Sequence, residues 1–291
     1  MKMYREKEDT MYGKLYLCAT PIGNLEDITF RVLRILKEVD LVAAEDTRHS
    51  IKLMNHFEIS TPMTSYHEFN KFEKAETLIG ILKEGKNIAL ITDAGTPGIS
   101  DPGEVLVARC FDEGIEVSSV PGPAACITAL TMSGLSTRRF AFEAFLPREK
   151  KDRNLILEEL KNETRTIIIY EAPHHLKDTL KELRETLGNR RITLLRELTK
   201  KFEEADRTTL DELIGRFTME NPKGECVMVI EGKSFEEIKE ENEEKWKAMS
   251  IEEHYEMYVS QGTDKKQAMK LVAKDRGVSK RDIYNYLVNL E

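Results

Sequence analysis

The chain has 291 residues, 40% of them hydrophobic and 33% charged, enough for a sizeable core and about two domains. A formal net charge of -8 excludes a protein that coats nucleic acid over its whole surface, so any such contact must be a local basic feature on an acidic body. No apolar run approaches the roughly 20 residues of a membrane span, MKMYREKEDTMYGK is charged rather than apolar, and Cys18, Cys110, Cys126 and Cys226 form no C-x-x-C pair. A soluble, cytoplasmic protein with buried, reduced thiols is expected.

From Lys14, short apolar strands alternate with amphipathic helices. KLYLCAT is a strand, followed by a helix around ITFRVLRILKEV. LVAAED is a strand, then come a helix near SIKLMNHF and a short strand at MTSYH. EKAETLIGILKEG is a helix ending at Gly85, and NIALITDA the next strand. The helix GEVLVARCFDEG and the strand EVSSVPG repeat the pattern. Such alternation predicts crossover units and a mainly parallel sheet, with ligands bound at the carboxyl ends of its strands. Further on, FAFEAFLP, RTIIIYEA, RITLLREL, the stretch near FEEADRT, and ECVMVIEG read as strands, with helices such as LILEELKN and LKDTLKELRETL between some of them. The boundary is placed between Gly122 and Ser136, giving α/β domains over 1–122 and 123–232 and an acidic helical linker with a tail over 233–291. The linker is SFEEIKEENEEKW. The tail reads as three short helices, punctuated by Gly262 and Gly277, with Ser279 capping the last. There Lys265, Lys266, Lys270, Lys274, Arg276, Lys280 and Arg281 outnumber Asp264, Asp275, Asp282 and Glu291, so a helix-turn-helix-like contact with RNA is one expectation and a packing role the other.

Four strand-to-helix loops carry the candidate chemistry. Ala19–Asp27 stands where a dinucleotide-binding protein has G-x-G-x-x-G, but it holds one glycine and Pro21, which disfavours a pyrophosphate cradle. Thr92–Gly103 holds three glycines and two prolines after an apolar strand, with Asp93 at the strand end and Asp101 suited to cap the next helix. Val120–Ala125 is a rigid turn, with Pro123 suited to the first helical turn. Tyr170–His175 ends a strand of the second half. Together they predict one cleft between the two domains. Two polar clusters, Glu45–Ser50 and Ser65–Asn70, follow strands at the same sheet edge. His49, His56, His67, His174, His175 and His254 form no metal-ligand spacing, and neither a G-x-S-x-G elbow nor a P-loop occurs, so no metal is expected.

Taken together, ATPIGNLEDIT, AAEDTRHS, SYHEFN, DAGTPGISDPG, PGPAA, FLPRE, YEAPHH, RELTKKFEE and KGECVMVIEG resemble the successive motifs of the tetrapyrrole (corrin/porphyrin) methylase superfamily, in its branch acting on small-subunit ribosomal RNA. The resemblance runs from about Lys14 to Gly232, and the tail is similar to the branch's helical extension. It implies two α/β domains enclosing S-adenosylmethionine, a homodimer, and transfer of a methyl group to a cytidine 2′-oxygen in the decoding region of 16S ribosomal RNA within the 30S subunit. Pro21, Ile22, Asp93, Ala94, Gly95, Thr96, Ala124, Ala125, Tyr170, Glu171, Ala172, Gly224 and Glu225 are then expected at the cofactor. Asp46, Thr47, Arg48, His67 and Asn70 are expected on the substrate wall, and His67, Asp46 and Glu171 are the candidate bases. Phe69, Ala124, His175 and Phe202 depart from the branch's usual histidine, serine, arginine and histidine. Two other readings remain open: a methylase of this fold acting on a corrinoid precursor or diphthamide intermediate, and a non-enzymatic RNA-binding module.

Overall fold

The structure, a computed structural model, describes residues 12–219 and 222–288; the charged stretch 1–11 and Glu291 lie outside the described residues. Strands β1 (Lys14–Cys18), β2 (Leu41–Ala44), β3 (Met63–Ser65), β4 (Ile88–Ile91) and β5 (Glu116–Val120) form a sheet in the order β3-β2-β4-β1-β5. Every pairing in it is parallel, as the sequence predicts. The crossovers are α1 (Phe30–Glu38), α2 (Thr47–His56), α3 (Lys71–Lys83) and α4 (Gly103–Asp112).

β4 is apolar throughout because both of its faces are covered. Ile88 and Leu90 point to one side, where they meet Leu78 and Leu82 of α3. Ala89 and Ile91 point to the other and meet Val32, Ile35 and Leu36 of α1, a helical stripe at spacing i, i+3, i+4. The strands therefore end together at one edge, and their loops share it.

A second sheet, β6-β7-β10-β8-β9, comprises β6 (Phe140–Phe145), β7 (Thr166–Glu171), β8 (Arg191–Arg196), β9 (Glu204–Thr209) and β10 (Cys226–Ile230). Only β6 and β7 run parallel; the other pairings are antiparallel. Its helices are α5 (Ala125–Met132), α6 (Lys150–Leu160), α7 (Leu176–Leu187) and α8 (Leu210–Met219). The sequence reading names no helix between β9 and β10, where α8 lies. Pro123 lies outside α5, because Ala124 is the N-cap and the helix starts at Ala125. The buried face of α5 packs Cys126, Ala129 and Leu130 against Ile168, Leu195 and Val229. All four cysteines are free and buried, and burial pushes the Cys18 and Cys110 thiols up to about 12, so they stay neutral.

Both sheets fall in one compact unit, Met1–Leu157 with Arg165–Glu231. Glu158–Thr164 with Gly232–Glu291 make another, which holds α9 (Phe235–Ala248), α10 (Ile251–Ser260), α11 (Lys265–Asp275) and α12 (Lys280–Val288). The acidic run is thus the helix α9 of this unit, started by a Ser234–Glu237 capping box. Ser279 accepts from the Asp282 N–H at 3.2 Å, as its place before α12 predicts. His254 is fully buried, stacked on Trp246 at 3.9 Å, and its Nδ1 accepts from Arg276 Nε at 3.2 Å. Among the described residues no helix is long and apolar enough to cross a membrane.

Met228 lies on β10, the middle strand of the second sheet, and is fully buried. Met228→Ala removes core contacts that its neighbours only partly refill, so urea denaturation should show a loss of about 2–5 kcal/mol. An unchanged midpoint would mean that β10 is not the centre of this core.

Candidate active site

The loops at the carboxyl end of the first sheet are tied to one another. Thr20 and Gly95 exchange backbone hydrogen bonds at 2.9 and 3.0 Å, and Gly95 takes the left-handed φ of +86° that this close pairing requires. The Thr20 hydroxyl donates to Thr92 O at 3.0 Å, and that of Thr96 donates to Pro123 O at 2.8 Å. Asp101 organises the glycine-rich loop from within: Oδ2 accepts from Gly98 N at 2.7 Å and Oδ1 from Gly103 N at 2.9 Å. Pro102 is the N-cap of α4 and has no side-chain acceptor, so Asp101 serves as the cap from one residue earlier.

These loops and the ends of β7 and β10 enclose a cavity of about 410 Å³. Ile22, Ala124, Ala125, Phe145, Leu198 and Val227 give it apolar walls. Among the described residues its charged lining consists of Glu45, Asp93, Asp101, Glu171 and Glu225, with no lysine, arginine or histidine. Asp93 is held above the usual carboxylate range by desolvation and then by the charge of Glu45, and desolvation raises Asp101 as well. Burial pushes the thiol of Cys226, another lining residue, up to about 12, so it is neutral. Such a lining disfavours phosphates and suits a cation.

Of the residues expected at a cofactor, Ile22, Asp93, Ala94, Gly95, Thr96, Ala124, Ala125, Tyr170, Glu171, Ala172 and Glu225 line this cavity. Pro21 and Gly224 do not. A Cβ on Gly224 would stand 2.5 Å from the Glu197 side chain, so this glycine answers to packing beneath the site. The sequence reading holds Ile99 and Glu45 only as members of the Thr92–Gly103 loop and the Glu45–Ser50 cluster, and it misses Phe145, Leu198, Cys226 and Val227 as lining residues. Glu45 was legible as the end of LVAAE, whereas Leu198 and Val227 carry no signal that separates a cavity wall from a core.

Asp46, Thr47, Arg48, His67 and Asn70 also fall outside the lining: Asp46 caps α2, Thr47 and Arg48 form its first turn, and His67 and Asn70 lie on the loop before α3. The Asp46 N–H donates to Asp93 Oδ1 at 3.1 Å, and the Tyr66 hydroxyl ties the His67 loop to Pro102 O at 2.9 Å. The Asp46 carboxylate caps α2 through Arg48 N at 2.8 Å and receives the Arg48 guanidinium at 3.1 and 2.9 Å, which holds its pKa at about 2. Asn70 Oδ1 accepts from His67 N at 2.8 Å and fixes that turn. His67 Nδ1 is buried and has no hydrogen-bond partner among the described residues. Glu171 Oε2 accepts from the Thr179 hydroxyl at 2.5 Å. Phe69 and Phe202 are almost fully and three-quarters exposed, and His175 is the N-cap of α7 without a side-chain capping bond.

Backbone strain gathers at the cavity walls. Among the described residues, four non-glycine positions have positive φ, and three of them flank wall residues: Ala144 precedes Phe145, and Glu197 and Thr199 bracket Leu198. At Ala144 the pairing of β6 with β7 also shifts register, a bulge that re-aims Phe145.

Tyr170 links wall and helix. Ala124 offers α5 no side-chain cap, and the Tyr170 hydroxyl oxygen instead accepts from Cys126 N at 2.9 Å. Tyr170→Phe should therefore cost about 1–3 kcal/mol in urea denaturation, because the Cys126 N–H is left unpaired. Adding Ala124→Ser, which restores an N-cap oxygen, should recover about 0.5–1 kcal/mol. If Tyr170→Phe is neutral, the phenol does not act as the cap.

The profile of the Tetrapyrrole (Corrin/Porphyrin) Methylases matches residues 14–214. A protein named Ribosomal RNA small subunit methyltransferase I from Halalkalibacterium halodurans is 51% identical over 97% of this chain and 96% of its own length. One of the same name from Bacillus subtilis is 50% identical over 94% of this chain and 93% of its own length. Among solved structures, a diphthine synthase superposes with a TM-score of 0.60 at 15% identity, covering 76% of this chain and 91% of its own. Uroporphyrin-III-C-methyltransferase from Thermus thermophilus gives 0.54 at 20%, covering 75% and 94%; at these identities both speak for the fold alone. On the profile and the full-length identities, this chain belongs to the tetrapyrrole (corrin/porphyrin) methylase family, in the branch of the small-subunit ribosomal RNA methyltransferases I.

Proposed function

We propose that this chain is an S-adenosylmethionine-dependent methyltransferase that modifies the ribose 2′-hydroxyl of a cytidine in the decoding region of 16S ribosomal RNA. The observation that carries this reading is the 51% identity over almost the whole chain to a protein named for small-subunit ribosomal RNA methylation. On the same reading the substrate is the 30S subunit, and the enzyme is a cytoplasmic homodimer.

The donor set of the cavity suits the cofactor. S-adenosylmethionine supplies an electrophilic methyl group on a positively charged sulfur that leaves as a neutral thioether. Lys200 pairs with Glu225 and Arg153 lies 4.0 Å from Glu171, which leaves Glu45, Asp93 and Asp101 to favour the sulfonium and ammonium charges, and about 410 Å³ lies within the usual range for small-molecule sites. Asp93 and Glu45 are placed to face a cation, while Ile22, Ala124, Ala125 and Val227 cover apolar surface. Holding the reacting groups in line can contribute about 7–11 kcal/mol.

Of the three candidate bases, Asp46 is a weak one, since Arg48 holds it at about 2. Glu171 is engaged by Thr179. His67 lies on a turn that Asn70 fixes and Tyr66 ties to Pro102, and we assign its ring the proton of the 2′-hydroxyl.

Labelled methyl transfer to undermethylated 30S subunits, with mapping of the product, tests the reading. A ribose-methylated cytidine in the decoding region is expected, and cofactor binding without RNA methylation would overturn the substrate. His67→Ala should lower kcat by about 10²–10⁴-fold with cofactor affinity retained; near-full turnover would remove the base. Asp93 ionises above the ordinary carboxylate range, and a bound cation favours its charged form. Cofactor affinity should therefore be full above that raised pKa and fall as pH drops through it, as calorimetry run downward from neutral pH would register. Asp93→Asn should weaken binding about tenfold and flatten this dependence.

A further inference from the structure

A second cavity, of about 920 Å³, shares Phe145, Glu171 and Ala172 with the first. Its charge is mixed: Arg148, Lys150 and Arg153 stand against Glu171, Asp178 and Glu182. Arg148, Lys150, Arg153, His174 and His175 line it, at the starts of α6 and α7, whose N-terminal ends favour anions.

The floor is built, with one guanidinium set between two carboxylates. Arg153 Nε donates to Glu182 Oε2 at 2.6 Å and Nη2 to Thr179 Oγ1 at 2.7 Å, with Nη2 4.0 Å from Glu171 Oε2. The Arg153 side chain is only 15% exposed and that of Glu171 6%, so the one guanidinium is committed to this network and bonds Glu182 at its edge. At the mouth, Arg148 and Lys150 are exposed, and neither has an acidic partner among the described residues. Asp178 is the one carboxylate of the lining outside the Arg153 network.

An acidic methyl-donor cavity repels a polyanionic strand, so the strand needs cations close to the point of transfer. Arg148 and Lys150 provide them across the shared wall. We propose that this second cavity holds the phosphodiester backbone of the RNA strand beside the ribose being methylated, with Arg148 and Lys150 on phosphate oxygens. The assignment rests on the ribosomal RNA reading above.

The test uses the full chain, S-adenosylmethionine and small-subunit ribosomal RNA, with Arg148→Ala, Lys150→Ala and their combination. Lys37→Ala, an exposed lysine of α1, serves as the charge control. For the combination, KM for RNA should rise about tenfold or more. The effect should fall on KM rather than kcat, with calorimetric cofactor affinity retained. The slope of log K against log salt should shrink by about 0.7 for each phosphate that is no longer neutralised. Arg148→Lys should restore most of the slope, since it keeps the charge.

If the wild type methylates RNA and the combination keeps the wild-type KM and slope, or is impaired no more than Lys37→Ala, the phosphate assignment alone is overturned. If the combination loses cofactor affinity instead, the cavity belongs to the cofactor and the assignment falls. If the wild type binds S-adenosylmethionine but neither binds nor methylates the RNA, the ribosomal reading fails and takes the assignment with it.

Discussion

Of the five carboxylates around one small cavity, Glu45, Asp93 and Asp101 repel one another, and the loops are arranged to hold them there. Two unit charges about 5 Å apart repel by about 3 kcal/mol at an effective dielectric of about 20. Each carboxylate is restrained by a donor outside the open space. Glu45 receives the Thr92 hydroxyl, Asp93 the Asp46 N–H, Asp101 the N–H groups of Gly98 and Gly103, Glu171 the Thr179 hydroxyl, and Glu225 the Lys200 ammonium. The negative field is therefore built in before any ligand arrives, so the protein need not reorganise to meet a cation.

The two sheets make this placement possible in different ways. In the parallel sheet every strand ends at the same edge, which brings Glu45, Asp93 and the Asp101 loop together from separated stretches of chain. The mostly antiparallel sheet instead offers β7, where Tyr170 and Glu171 sit at the strand end, next to β10, which begins at Cys226. Opposite chain directions put the end of one strand beside the start of the other, so Glu171 and Glu225 reach the same cavity.

Much of this was legible in the sequence. Alternation of short apolar strands with amphipathic helices predicts the parallel sheet, and DAGTPGISDPG marks a ligand loop because no ordinary turn needs that many glycines and prolines. The antiparallel order of the second sheet was not legible, since pairing direction depends on which strands become neighbours rather than on local pattern. The start of α5 was misplaced for a related reason: Pro123 suits a first helical turn, but the helix takes its cap from Tyr170, distant in sequence. The side chains at Asp46 and Asn70 read as substrate contacts, yet their visible hydrogen bonds serve local turns. Polar residues at strand ends suit both tasks, and spacing cannot separate them.

The left-handed backbone at Ala144 has a further consequence, for how the protein balances robustness against activity. A non-glycine residue there costs about 1–2 kcal/mol, and Glu197 and Thr199 bear similar strain. Glycine at these positions would relieve it, but would free the chain on either side of Phe145 and Leu198. The bulge places Phe145 at the partition between the two cavities, and that partition is only as sharp as the backbone carrying it is stiff. A more heat-resistant version obtained by relaxing these residues would therefore hold its two compartments less distinctly apart.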